Sequence, residues 1–119
     1  MSVKLNKPAF VHAKDLINDG SVVLDERDAW SEHRPSAAAE NAFIKEHGWR
    51  EYSRWHLGID DTEKPDTKGR YKFPYGDFKA VHRCGVLAAE SRAGQYKYID
   101  IEQAAAHLHG MLETLKLKD

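Results

Sequence analysis

The clearest pattern of apolar positions lies near the end of the chain. Apolar side chains recur there at spacings of four and three residues, at Ile101, Ala105, Leu108, Leu112 and Leu115. This spacing places them on one face of an amphipathic helix. Asp100 and Gln103 have the spacing of a capping box, which predicts that the helix begins beside them.

Three more helices are predicted upstream, over residues 8–20, 36–48 and 78–92. Ser36 can cap the second of them, and Gly48 can provide its left-handed exit. Asp77 can cap the third, with Gly94 as its terminator. About six residues would then separate this helix from the last one, which favours a helical hairpin.

A β-hairpin is predicted between the second and third helices. Apolar residues alternate with other residues at Trp55, Leu57 and Ile59, and again at Tyr71 and Phe73. The connecting residues 60–69 contain Pro and Gly, which are typical of a loop. A helix that runs into Trp55 is the alternative.

Two stretches near the middle of the first half have weaker patterns. Residues 21–26 form a short apolar run that is ambiguous between a strand and irregular chain. Residues 25–35 resemble a loop anchored by Trp30. Acidic residues and His33 lie close together there, but nothing in the sequence fixes their separation.

These elements predict an α+β fold with about four helices and a small β-hairpin. A length of 119 residues suits one domain over residues 1–119. The predicted core is apolar and drawn from every element: Phe10, Ile17, Phe43, Trp55, Leu57, Phe73, Val81, Leu108, Leu112 and Leu115.

The single cysteine, Cys84, cannot form an intramolecular disulfide, so nothing indicates secretion. The first residues lack the apolar core of a signal peptide, and no apolar run is long enough to span a membrane. We therefore expect a soluble, cytoplasmic protein.

Charge is distributed unevenly along the chain. The formal net charge is -1, yet residues 68–98 carry seven Lys or Arg against two Asp or Glu, a balance of +5. Six aromatic residues lie in the same segment. Cations that follow phosphates and rings that stack on bases are what a single-stranded nucleic acid requires.

The leading hypothesis is therefore a non-enzymatic interaction module that binds nucleic acid or an acidic protein. Its predicted contacts are basic or aromatic: Lys72, Tyr75, Lys79, Arg83, Arg92, Tyr96, Lys97 and Tyr98. Lys79 and Arg83, four residues apart on a helix, would contact phosphate or carboxylate groups. The alternative is an ordinary solvated face.

Seven histidines and Cys84 raise the question of a metal or a catalytic site. His82 and Cys84, like His107 and His109, are two residues apart on predicted helices, where side chains diverge by about 200°. Neither pair could then chelate one ion, so no metal ligand, catalytic residue or cofactor is assigned. Cys84 could act as a nucleophile, but a buried thiol is the commoner role.

Two alternatives to the interaction module remain open. One is a small metal-dependent enzyme that gathers histidines from separate elements, such as His82 with His107. The other is a homo-oligomeric structural protein that associates through the exposed side of the last helix. The sequence leaves the oligomeric state undetermined.

Residues 70–112 resemble a segment of several uncharacterised bacterial and phage-associated proteins. In that segment a Y-x-x-P-x-x-D start leads into an alanine-rich helix, a glycine and a second amphipathic helix. The matching positions are Tyr71, Pro74, Asp77, Ala88, Ala89, Gly94, Ala104 and Leu108. The whole chain resembles a small conserved-hypothetical bacterial family. In phage proteins such segments accompany head-maturation proteases or scaffold-like partners, which implies an assembly or binding role and no catalytic residue.

Overall fold

The computed structural model describes residues 3–118, with side chains as far as residue 117. The helices are α1 (Lys7–Asn18), α2 (Trp30–His33), α3 (Ala37–Ser53), α4 (Arg83–Gln95) and α5 (Ile99–Lys118). The strands are β1 (Val3–Leu5), β2 (Val22–Val23), β3 (His56–Asp60), β4 (Tyr71–Pro74) and β5 (Val81–His82), and 3-10 turns cover Arg27–Ala29 and Lys68–Arg70. The described chain is α+β as predicted, but it has five helices rather than four. The fifth is α2, in the stretch predicted as a loop.

The predicted hairpin is present as the antiparallel pair β3–β4. Gly58 is paired with Lys72, and Ile59 with Tyr71. Strand β1, which the sequence did not indicate, adds to the other edge of β3 and gives the order β1-β3-β4. The N–H of Leu5 also donates to Asp100 Oδ2 over 2.9 Å, so that β1 is tied to the start of α5.

The apolar stripe of α5 forms one side of the core. Ile101, Ala105, Leu108 and Leu112 are buried, and Leu115 packs against the buried cluster. All ten residues predicted for the core lie within this cluster or in contact with it. Within residues 3–118, no helix is long and apolar enough to cross a lipid bilayer.

Helix α3 is interrupted at the glycine that was predicted to end it, and a second helical stretch follows. Ser36 caps the helix, because its Oγ accepts a hydrogen bond from the N–H of Ala39 at 3.1 Å. Gly48 adopts a φ of +86°, as a helix exit would require, but the chain resumes helical geometry as far as Ser53. The predicted exit at Gly48 is therefore present as a break in the helix, and the alternative of a helix running into Trp55 holds only as far as Ser53, because Trp55 lies outside the helix.

Helix α4 begins at Arg83, five residues later than the prediction of Phe78. Asp77 does not cap it. Instead, Asp77 Oδ1 accepts hydrogen bonds from the N–H groups of Lys79 and Ala80, at 2.9 and 2.8 Å, which makes a tight turn. Phe78 takes a φ of +71° within that turn. The chain then forms β5 before it becomes helical.

The turn between α4 and α5 is also shorter than predicted. Three residues, 96–98, connect the helices rather than six. Gly94 lies inside α4, and it is Lys97, with a φ of +62°, that adopts the left-handed conformation.

His56 at the start of β3 is buried and must be neutral in the folded protein. Its Nδ1–H donates to the carbonyl of Tyr52 over 2.9 Å, and its ring lies 4.4 Å from that of Tyr52. Burial lowers the pKa of His56 to about 4. The unfolded chain therefore takes up a proton at His56 near pH 6.5, whereas the folded chain resists it until about pH 4.

We predict that this histidine weakens the fold in acid. Its contribution to stability is fully present above pH 6.5 and is lost as the pH falls towards 4, by roughly 3 kcal/mol in total. Urea unfolding at pH 7 and pH 4.5 should show a larger loss in the wild type than in His56→Gln. His47→Gln, at an exposed histidine, is the control and should behave as the wild type. Equal losses in all three proteins would contradict the prediction.

Candidate metal centre and basic cleft

The short parallel pair β2–β5 brings together side chains that are distant in sequence. Val22 is paired with Val81, and Val23 with His82. Since parallel strands end at the same edge, the residues that follow β2 lie beside the β5–α4 junction. Asp25 is thereby placed next to His82 and Cys84.

The carboxylate of Asp25 is the centre of this cluster. Its Oδ1 accepts the N–H of Cys84 at 2.7 Å, and its Oδ2 lies 3.0 Å from the Cys84 thiol. Cys84 occupies the first turn of α4, where backbone N–H groups have no partner within the helix. Asp25 therefore caps α4 from a different part of the chain, and the helix dipole favours its negative charge.

Two imidazoles complete the cluster. His82 Nδ1 lies 2.7 Å from Asp25 Oδ2, and His33 Nδ1 lies 2.8 Å from the same oxygen. His33 is the last residue of α2, and its side chain is 40% exposed, while those of Asp25 and His82 are almost fully buried. The Cys84 sulfur lies 4.0 Å from His33 Nδ1.

A second carboxylate fixes the orientation of His82. Asp77 Oδ2 lies 2.9 Å from His82 Nε2, on the side of the ring that faces away from Asp25. The tight turn that binds Asp77 Oδ1 holds this carboxylate in place. His82 thus presents Nδ1 to the cluster and Nε2 to a fixed acceptor.

Hydrogen bonds determine the charges of these groups. Burial alone would raise the pKa of Asp25, but the bonds from Cys84, His33 and His82 hold that pKa well below its ordinary value. Burial likewise opposes a charge on His82, but Asp77 and Asp25 raise its pKa. Burial and the Asp25 carboxylate raise the pKa of Cys84 to about 12, which leaves it a poor nucleophile.

The ligand atoms of Asp25, His33, His82 and Cys84 all lie within 4.8 Å of one another. Across the part of the chain that the structure describes, no other group of three or more His, Cys, Asp or Glu side chains converges in this way. The prediction that His82 and Cys84 lie on one helix was wrong, because His82 ends strand β5 and only Cys84 is helical, so the helical geometry does not separate their side chains.

The histidines of α5 are engaged elsewhere. His107 packs edge-on against Phe10, with ring centroids 5.6 Å apart. His109 Nδ1 lies 2.9 Å from Glu90. The histidine that lies near His82 is therefore His33, with ring centroids 5.7 Å apart, and not His107. The sequence showed that acidic residues such as Asp25 lie near His33. It contained no local pattern that predicts the parallel pairing of β2 with β5, which places Asp25 beside His82.

The predicted polyanion contacts separate into four groups. Tyr75 is fully buried, and its hydroxyl donates to the carbonyl of Arg54 over 2.6 Å, so that its ring cannot stack on a ligand. Arg83 pairs with Glu113 at 2.6 Å and also donates to the Asp25 carbonyl, so its charge is neutralised within the fold. Lys79 and Lys97 lie on the exposed surface.

The remaining four predicted contacts, Lys72, Arg92, Tyr96 and Tyr98, line one open cleft of about 930 Å³. Residues from the segment 1–67, which carries 13 Asp or Glu against 9 Lys or Arg, complete its wall, among them Arg27, Trp30 and Arg34. We call this the basic cleft. Trp30 also packs against the ring of His82, with centroids 6.0 Å apart, so the cleft and the cluster around Asp25 share one wall.

No family model, curated protein or solved structure matches the chain. The resemblance to phage-associated segments and to a conserved-hypothetical family stays a prediction. The function of the cluster around Asp25 and of the basic cleft must therefore be inferred from their geometry and chemistry.

Gly85 allows α4 to approach the rest of this site. A Cβ at this position would lie 2.9 Å from the carbonyl oxygen of Tyr75 and 3.0 Å from the ring of Trp30. We predict that Gly85→Ala lowers the free energy of unfolding by about 1–3 kcal/mol, because backbone and a packed ring must move.

Gly110→Ala in α5 is the matched control. A Cβ there meets no atom within 4 Å, so the substitution should stabilise the helix by about 0.5–1 kcal/mol. Urea unfolding of the three proteins measures both effects. If Gly85→Ala were as stable as Gly110→Ala, the close approach at Gly85 would be disproved.

Proposed function

We propose that this protein binds one transition-metal ion, best fitted by Zn²⁺, through Asp25, His33, His82 and Cys84. The observation that carries the proposal is the convergence of these four ligand atoms within 4.8 Å. The support given to His82 by Asp77 is the arrangement that orients metal-binding histidines.

The donor set favours zinc over hard cations. A thiolate and two imidazole nitrogens suit borderline metals, whereas Ca²⁺ and Mg²⁺ require oxygen ligands. In a tetrahedral zinc site with bonds of about 2.0–2.3 Å, neighbouring ligand atoms are about 3.3–3.8 Å apart. The contacts of 2.7–3.0 Å to Asp25 Oδ2 would open by roughly half an ångström to admit the ion.

Four protein ligands make a closed site, which is typical of structural zinc. The ion would join the segment after β2 and the end of α2 to the β5–α4 junction. Catalysis would need a coordination position open to water. Among the four ligands only His33 is exposed, so it alone could leave a coordination position open to water. We therefore assign the ion a structural role, in preference to a role in a metal-dependent enzyme.

Metal binding should depend on each ligand. We expect one zinc ion per chain, by elemental analysis of protein purified without a histidine tag. Co²⁺ added to metal-free protein should give a thiolate-to-cobalt charge-transfer band. Cys84→Ser should abolish the band, because it retains a donor to Asp25 but not the thiolate, and His33→Ala should weaken binding at least tenfold.

His47→Ala, which changes an exposed histidine outside the cluster, should leave zinc affinity unchanged. Circular dichroism of the metal-free proteins shows whether each variant is folded. Failure of the folded wild type to bind zinc or cobalt would refute the proposal. The proposal would also be refuted if a folded Cys84→Ser, His33→Ala double variant bound one zinc ion with the affinity of the wild type.

Asp77→Asn tests the carboxylate behind His82. Asparagine retains Oδ1 for the turn, but its amide nitrogen cannot accept the His82 Nε2–H. Zinc affinity, measured by competition with a chromogenic chelator, should fall about 10- to 100-fold. The control is Glu90→Gln, which removes the carboxylate beside His109 and should have no effect. Unchanged affinity in Asp77→Asn would show that this carboxylate does not orient a ligand.

A further inference from the structure

The basic cleft lies between the segment that follows β2, strand β4 and the last turns of α4. Four cationic side chains line it, Arg27, Arg34, Lys72 and Arg92, against one acidic side chain, Asp28. We propose that this cleft binds single-stranded nucleic acid. The proposal does not depend on the metal centre, although the two sites share Trp30.

The cations of the cleft differ from many others in the protein. Lys4, Arg54, Lys68 and Arg83 each pair with an acidic side chain of the fold. Among the side chains that the structure describes, none pairs with Arg27, Arg34, Lys72 or Arg92 within 4.0 Å. Their charge is therefore available to an external anion such as a phosphate backbone.

Aromatic rings lie among these cations. Tyr96 is 59% exposed although it is a large aromatic side chain, and its ring is stacked with that of Tyr98, with centroids 5.8 Å apart and planes 29° apart. Trp30 and Tyr71 also line the cleft. Flat rings beside unpaired cations match the alternating bases and phosphates of a nucleic acid strand.

The rings favour a single strand over the other polyanions. The faces of bases in a duplex are covered by their neighbours, whereas an unpaired base can stack on a tyrosine. An acidic protein would satisfy the cations but leave the rings without a partner. Because the net charge of the chain is -1, attraction must come from the cleft itself, and binding should weaken steeply with salt.

Fluorescence anisotropy with a labelled mixed-sequence 12-nucleotide DNA strand tests this inference, at low and moderate salt. The zinc-loaded and metal-free forms are both measured. The double variant Arg34→Gln, Arg92→Gln should bind at least tenfold more weakly, with a shallower salt dependence. Tyr96→Ala should weaken binding about fivefold or more, because a stacking plane is removed.

The control double variant is Arg50→Gln, Lys64→Gln, which makes the same charge change at exposed positions outside the cleft. It should bind within twofold of the wild type. Melting temperatures show whether all variants remain folded.

Three outcomes would overturn the inference: no binding at low salt by the folded wild type in either metal state, equal weakening by the control, or tighter binding of a duplex or of polyglutamate than of the single strand. Loss of DNA binding with zinc binding intact would separate this inference from the metal proposal.

Discussion

The Asp25 carboxylate is the interaction on which the arrangement of the site depends. It accepts hydrogen bonds from the backbone and thiol of Cys84 and from the rings of His33 and His82. A carboxylate so nearly buried is tolerated only when it is well hydrogen-bonded. The same carboxylate caps α4, orients the rings of His33 and His82, and through His33 attaches α2 to the rest of the protein. Without it, the chain after β2 would lose its main polar attachment to α4.

The sequence predicted those elements whose signals are local. The stripe of α5 repeats over several turns, and the strands β3 and β4 alternate around an obvious loop, so both elements were identified correctly. The buried residues were also predicted correctly, because the period of the apolar positions identifies which face of each helix or strand packs into the core. Leu108 and Leu112 on the helix, and Leu57 and Phe73 on the strands, are all buried.

The β5–α4 junction was predicted incorrectly because its determinants are distant. Asp77 has the chemistry of a helix cap, and the residues after it are compatible with a helix. What makes Val81 and His82 a strand is pairing with Val22 and Val23, which no local pattern reveals. The same difficulty applies to charge. Arg83 lies in a basic segment of the sequence, but in the fold it pairs with Glu113. Arg27 and Arg34 lie in an acidic segment of the sequence, but in the fold they line the basic cleft.

The sequence separation between Asp25 and Cys84, 59 residues, has a consequence for folding. Helices α4 and α5 are joined by three residues, so their contacts close a short loop, whereas the β2–β5 pairing must close a long one at greater entropic cost. We therefore expect the helical hairpin to be available as a template on which the β2 segment docks late. The contacts of Asp25 with Cys84 and His82 would then form after the contacts between α4 and α5. Formation of the hydrogen bonds to Asp25 would therefore mark the step at which the segment after β2 docks on the helical hairpin.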